Sequence, residues 1–309
     1  MLIIKSLYGI MLLKGIENVM NDYLRCRLWL AIALTPDSRR INQLIDKYNS
    51  AQAVYDAFRG GDNLRLSGSE LQSLKNVNFS QVDYLYNSCR ENGIEVYAPE
   101  DEAFPKKLTV IDSPPNVLFS YGDLSLIDSA PSVAVIGARE ADDYAIGVTR
   151  KLSYELASKG VTIISGFARG VDSAAHRAAL TAGGRTVAVL ACGIDFDYPK
   201  NTRMFKDDIA QSGAVISEYF PSAIPCKNAF KVRNRLVSGL SDGILVTQAG
   251  ERSGTLNTVS HGLSQGKEIF AIPPHDIFSD SYKGNIGLLR DGATAVYSAY
   301  DILSNLSCF

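Results

Sequence analysis

The chain has 309 residues, 46% of them apolar and 21% charged, a globular composition long enough for about two domains. Its 31 Lys and Arg against 33 Asp and Glu leave a formal charge of −2. That balance excludes the basic excess of a protein that holds duplex DNA by bulk attraction, so any nucleic-acid site must be local. No apolar run approaches the roughly 18 residues that cross a bilayer, and five scattered cysteines without a C-x-x-C pair indicate neither a disulfide frame nor a metal site. A cytoplasmic protein without a metal or cofactor, and with no membrane partner, is expected.

Residues 1–20 read as an N-terminal extension, apolar but broken by Lys5, Lys14 and Glu17, without the layout of a secretory signal. Residues 21–95 read as a small all-helical domain. Leu24, Leu28 and Ile32, then Ile41, Leu44, Ile45 and Tyr48, recur at spacings of three and four. Thr35-Pro36-Asp37-Ser38, Gly60-Gly61 and Ser67-Gly68-Ser69-Glu70 supply the stops and starts. A connector rich in Pro, Asp and Ser follows, with a short strand expected at 117–120.

From Ser132 the pattern changes. Apolar, β-branched runs at 133–137, 161–165, 187–191, 214–217, 244–247 and 269–272 alternate with helical stretches at 144–159, 173–182, 203–211 and 255–265. Strands apolar on both faces and separated by helices predict an α/β fold, a doubly wound and mostly parallel sheet of Rossmann type spanning, with the connector, residues 96–305.

In such a sheet, ligands bind beyond the carboxyl ends of the strands. The turns there are Gly137-Ala138-Arg139, the run from Ser165, Gly166, Phe167, Ala168, Arg169 and Gly170 to Asp172, and Gly193-Ile194-Asp195 leading to Tyr198-Pro199-Lys200. Beyond them come Phe230-Lys231-Val232-Arg233-Asn234-Arg235 and Arg252-Ser253-Gly254-Thr255. Arg139, Arg169, Lys200, Lys231, Arg233, Arg235 and Arg252 are all expected on loops at one edge, where guanidinium forks and glycine amides suit a row of phosphates. Asp172 reads most simply as a helix N-cap, His176 as a packing residue and Asp195 as a brace for the turn before Tyr198, and the aromatic residues more often close a core than stack on bases. No G-x-S-x-G elbow, P-loop or G-x-G-x-x-G motif is present, so binding is expected rather than bond-making.

These motifs, together with Ser217-Glu218-Tyr219 and Gly239-Leu240-Ser241 in the same order, resemble the DNA-processing protein A family (DprA, also called Smf). The resemblance implies an extended Rossmann fold that binds single-stranded DNA, forms a homodimer and helps load the RecA recombinase in natural transformation. It also implies phosphate contacts at Arg139, the Ser165–Gly170 turn, Lys200, Arg233 and Arg235. Gln248 stands where an acidic residue is usual and Pro273-Pro274 where the family tends to have Pro-Gly, and no C-terminal winged helix is expected. The rival is a nucleoside-monophosphate phosphoribohydrolase, whose G-G-x-G-T-x-x-E signature is echoed by Gly250 and Gly254-Thr255. Thr258 occupies the position of its glutamate, which removes the group that would handle the ribosyl transition state.

Overall fold

The computed structural model describes residues 20–125 and 127–306, so the expectation for the extension at 1–19 lies outside the described residues. Among the described residues five helices come first. α1 (Asp22–Leu34) buries residues on every side, including Leu24, Leu28, Trp29 and Leu30, because the others surround it. α2 (Arg39–Tyr48) and α3 (Ala51–Arg59) start on the side-chain caps Ser38 and Ser50. α4 (Gly68–Asn76) and α5 (Phe79–Glu91) start on reciprocal capping boxes, Ser67 with Glu70 and Asn78 with Gln81, which satisfy the amides a first turn leaves open. At the centre the Trp29 indole donates to the Val77 carbonyl at 3.2 Å and meets the Tyr55 ring edge-on at 5.1 Å.

The chain then enters a nine-stranded sheet. β1 (Glu95–Tyr97), the single-turn α6 (Lys106–Thr109) and β2 (Leu118–Gly122) precede the alternating part. That part runs β3 (Ser132–Gly137), α7 (Asp143–Ser158), β4 (Thr162–Ser165), α8 (Val171–Thr181), β5 (Thr186–Leu190), α9 (Arg203–Ser212) and β6 (Ala214–Ser217). It continues through α10 (Lys227–Leu240), β7 (Gly243–Gln248), α11 (Thr255–Ser264), β8 (Glu268–Ala271), α12 (Lys283–Arg290), β9 (Thr294–Ala295) and α13 (Ala299–Leu303). The order is β1-β2-β6-β5-β4-β3-β7-β8-β9, parallel from β6 to β9, with β2 antiparallel to both its neighbours.

Alternation along each strand builds the layers. Val133, Val135 and Ile163 pack with Leu152, Leu156, Val171 and Ala175 of α7 and α8. Ala134, Ile136 and Ile164 pack on the other face with Leu236, Val237 and Val259 of α10 and α11. A third cluster joins the N-terminal helices to the sheet, running from Leu28 and Trp29 through Phe119 and Val215 to Phe167 and Phe205.

The expected strands and helices of the alternating part all form, most within one or two residues of the expected bounds. The exception is α10: residues 227–240, read in part as a cationic loop, form a 14-residue helix. The change of strand order between β3 and β7 leaves a crevice beyond their carboxyl ends.

Candidate functional site

The crevice is a cavity of about 570 Å³ bounded by four segments. Gly137, Ala138 and Arg139 come from the turn after β3, and Gly166 and Ala168 from the turn after β4. Phe230, Lys231, Arg233 and Asn234 come from one face of α10, and Arg252 to Thr255 with Asn257 and Thr258 from the start of α11. Arg139, Lys231 and Arg252 are exposed at its mouth. The Arg139 guanidinium carbon sits 5.0 Å from the centre of the Phe230 ring, which holds one of the three cations over the opening. At the start of α11 the Ser253 and Thr255 hydroxyls, themselves 3.0 Å apart, belong to residues lining the same space, while the Thr255, Leu256 and Asn257 amides donate to the Ser253 hydroxyl and to the Ser253 and Gly254 carbonyls.

The floor is set by a buried cation. Arg233 is 5% exposed, and its Nη1 donates to the Gly166 carbonyl at 2.5 Å and to the Val189 carbonyl. It thereby ties the turn after β4 to β5. A Cβ on Gly166 would lie 2.7 Å from that guanidinium, so a side chain there would displace it from the two carbonyls. Beside it, burial pushes the Asp172 carboxyl up and the Arg233 charge pulls it back down. Asp172 is not the N-cap: that place belongs to Gly170, and the Asp172 carboxylate reaches back to the Ala168 amide at 3.1 Å.

His176 is buried one turn further on, its Nδ1 2.7 Å from the Thr186 hydroxyl. That hydroxyl donates to the Ile163 carbonyl, so the imidazole carries its proton on Nδ1. Nε2 has no hydrogen-bond partner among the described residues. Burial, aided by the Arg233 charge, pushes the imidazole down to about 3 from the usual 6.5. The unfolded chain therefore binds the extra proton first. Stability is present in full above pH 6.5 and falls on acidification by about 1.4 kcal/mol per pH unit toward pH 3. We expect urea unfolding at pH 7.5, 6.0 and 5.0 to show this slope, and His176→Gln to remove it; equal slopes in both proteins contradict the assignment.

Other residues singled out in the sequence lie elsewhere. Arg235 is not on a loop: it is buried in α10, 2.7 Å from Glu218, and its Nη1 and Glu218 Oε2 have no hydrogen-bond partner among the described residues. Burial raises the Glu218 carboxyl, and Arg235 lowers it. Arg233 likewise leaves the expected loop for α10 and lies beneath the cavity rather than at its rim. Ser165 is buried, donating to the Val135 carbonyl at 2.6 Å. Phe167 turns inward with φ +59° and stacks on Phe205 at 5.5 Å, leaving the opening without its ring. Gly170 packs against the turn after β3, and the Ala168, Val171 and Ser173 amides are taken by Asp172, the Ala138 carbonyl and the Ala168 carbonyl. Arg169 and Lys200 are exposed but do not line the cavity. Asp195 accepts from the Ser222 amide and from its hydroxyl at 2.9 Å, joining the loops after β5 and β6.

Sequence reasoning missed Asn257, whose carbonyl accepts from Asn234 at 3.1 Å across the cavity, and Lys206, whose buried ammonium donates to the Ile194 and Phe196 carbonyls at 2.8 and 2.6 Å. Asn257 lies two residues past Thr255 on the first turn of α11, a signal that was readable; nothing near Lys206 marks it as buried. Gln248 bridges the start of α7, accepting from the Asp142 amide at 3.1 Å and donating to its carboxylate at 2.8 Å, so the helix start is held without an acidic residue there. Thr258 lines the cavity as a hydroxyl where the phosphoribohydrolase signature would place a carboxylate.

A family model described as DNA recombination-mediator protein A matches residues 95–307. The chain belongs to this family. It is 38% identical over 217 residues to the DNA processing protein DprA of Bacillus subtilis strain 168, covering 70% of this chain and 73% of that one. It is 34% identical over 244 residues to DprA of Streptococcus pneumoniae R6, covering 79% and 86%. Against Protein Smf of Escherichia coli K12 it is 38% identical over 208 residues, but spans only 55% of that longer chain. The X-ray structure of S. pneumoniae DprA superposes with a TM-score of 0.81 at 29% identity, over 93% of this chain and 99% of that one. The Helicobacter pylori family member, described for its single-stranded DNA binding mode, superposes at 0.61 and 33% identity over 69% and 95%. The family match encloses every cavity residue named above. Among the described residues, no helix is long and apolar enough to cross a membrane, and no group of three or more His, Cys, Asp or Glu is placed to hold a metal ion.

Proposed function

We propose that the chain is a single-stranded-DNA-binding recombination mediator whose strand runs across the mouth of the cavity between β3, β4, α10 and α11. The observation that carries this reading is the convergence of Arg139, Lys231 and Arg252 at one opening beside the first turn of α11. Three cations and the Ser253 and Thr255 hydroxyls grip sugar-phosphate without reading bases, so sequence preference is weak. Arg169 and Lys200, exposed on neighbouring loops, extend the track. A homodimer and hand-over of the strand to the RecA recombinase complete the proposal, and both rest on family membership.

Purified protein is expected to bind oligo-dT in preference to duplex, with log K falling by about 0.7 per phosphate neutralised for each unit of log salt. The triple variant Arg139→Ala/Lys231→Ala/Arg252→Ala should flatten that slope by about two units and weaken binding at least tenfold. An unchanged slope and affinity in the variant would remove the cavity from DNA binding. Release of a free base from a nucleoside monophosphate would favour the phosphoribohydrolase instead.

A further inference from the structure

A second cleft, of about 370 Å³, lies on the α7–α8 side of the sheet, away from α10 and α11. The helical period of α7 sets Arg150, Lys151 and Tyr154 on its open face, and Arg177 of α8 lines the same cleft. None of the three cations is in an ion pair among the described residues. The cleft also has an apolar part: the Tyr154 side chain, 47% exposed, and the buried Ala178. Arg177 is held in place, its guanidinium carbon 4.3 Å from the centre of the Phe205 ring.

This chemistry differs from that of the DNA cavity. The cleft lies along the later turns of two helices, away from their N-termini, where main-chain amides are spent on the helices' own hydrogen bonds and offer a phosphate no cradle. Glu155 also lines it, so an anionic ligand must keep its charges toward Arg150, Lys151 and Arg177, which separate side-chain carboxylates can do. A chain carrying separate carboxylates and an apolar side chain meets the three cations and the Tyr154–Ala178 floor together. We propose that the α7–α8 cleft docks an acidic, aromatic-containing segment of a partner protein, independently of the strand held at the other site.

The probe is a fluorescein-labelled peptide of Asp-Asp-Phe triplets, titrated with the full chain in low salt and followed by anisotropy. Saturable binding that weakens as salt rises is expected. Arg150→Glu/Lys151→Glu, both at exposed positions, should lower peptide affinity at least tenfold, and Tyr154→Ala several-fold. Oligo-dT affinity should stay within twofold in both variants. A matching Asn-Asn-Phe peptide should not bind. Absence of saturation, peptide binding indifferent to Arg150→Glu/Lys151→Glu, or a parallel loss of oligo-dT binding, which would make the cleft part of the nucleic-acid track, overturns the proposal.

Discussion

Replacing Arg233 with Ala is expected to cost about 3–5 kcal/mol of folding stability, the range for removing one member of a buried charged network. The loss has three parts. The Gly166 and Val189 carbonyls lose their guanidinium donor, the Asp172 carboxyl loses the cation that offsets its burial, and the turn after β4 loses its tie to β5. With domain stabilities of about 5–15 kcal/mol, this removes a large share. Arg233→Lys should recover only part of it, because one ammonium cannot reproduce a planar fork serving two carbonyls. Urea unfolding of the three proteins measures both values, and a loss below 1 kcal/mol for Ala would falsify the structural role. Oligo-dT binding should fall in Arg233→Ala even under conditions where it remains folded, since the Gly166 turn would no longer be fixed.

Gly170→Ala should be nearly as damaging, for a different reason. The backbone there has φ +79° and ψ −126°, a region L-residues avoid, and a Cβ would stand 2.3 Å from the Ala138 carbonyl oxygen and 2.6 Å from that of Arg139. The two turns must then separate, at a cost of about 3 kcal/mol or more, moving Arg139 off the rim and lowering oligo-dT affinity at least tenfold. Gly254→Ala is the matching control. Its φ of −60° is helical and no atom lies within 4 Å of the new methyl, so stability should change by less than about 0.5 kcal/mol. Comparable losses in both variants would show that the damage is not specific to the crowded turn.

The parallel strands were legible because burial on both faces writes a continuous apolar run, as in Val133 to Ile136 and Ile244 to Thr247. The turns that meet at the cavity were legible for the complementary reason: small residues at strand ends admit close backbone approach, as Gly137, Gly166 and Gly170 do. What could not be read was the partner of each charge. Arg233 and Arg235 look alike in sequence, two residues apart and both basic. One lies under the cavity against the Gly166 turn, and the other is paired with Glu218 in the interior. Expecting charge to mean exposure also hid α10, because its buried arginines break the apolar period that would have marked a helix. Lys206 escaped notice on the same ground, its ammonium capping loop carbonyls from inside.

The two rims of the sheet are very short, three residues in β1 and two in β9. At high local concentration, exposed strand borders can zip together into fibres. Borders this brief leave too few free main-chain groups for such stacking, so close neighbours are not joined through their sheets.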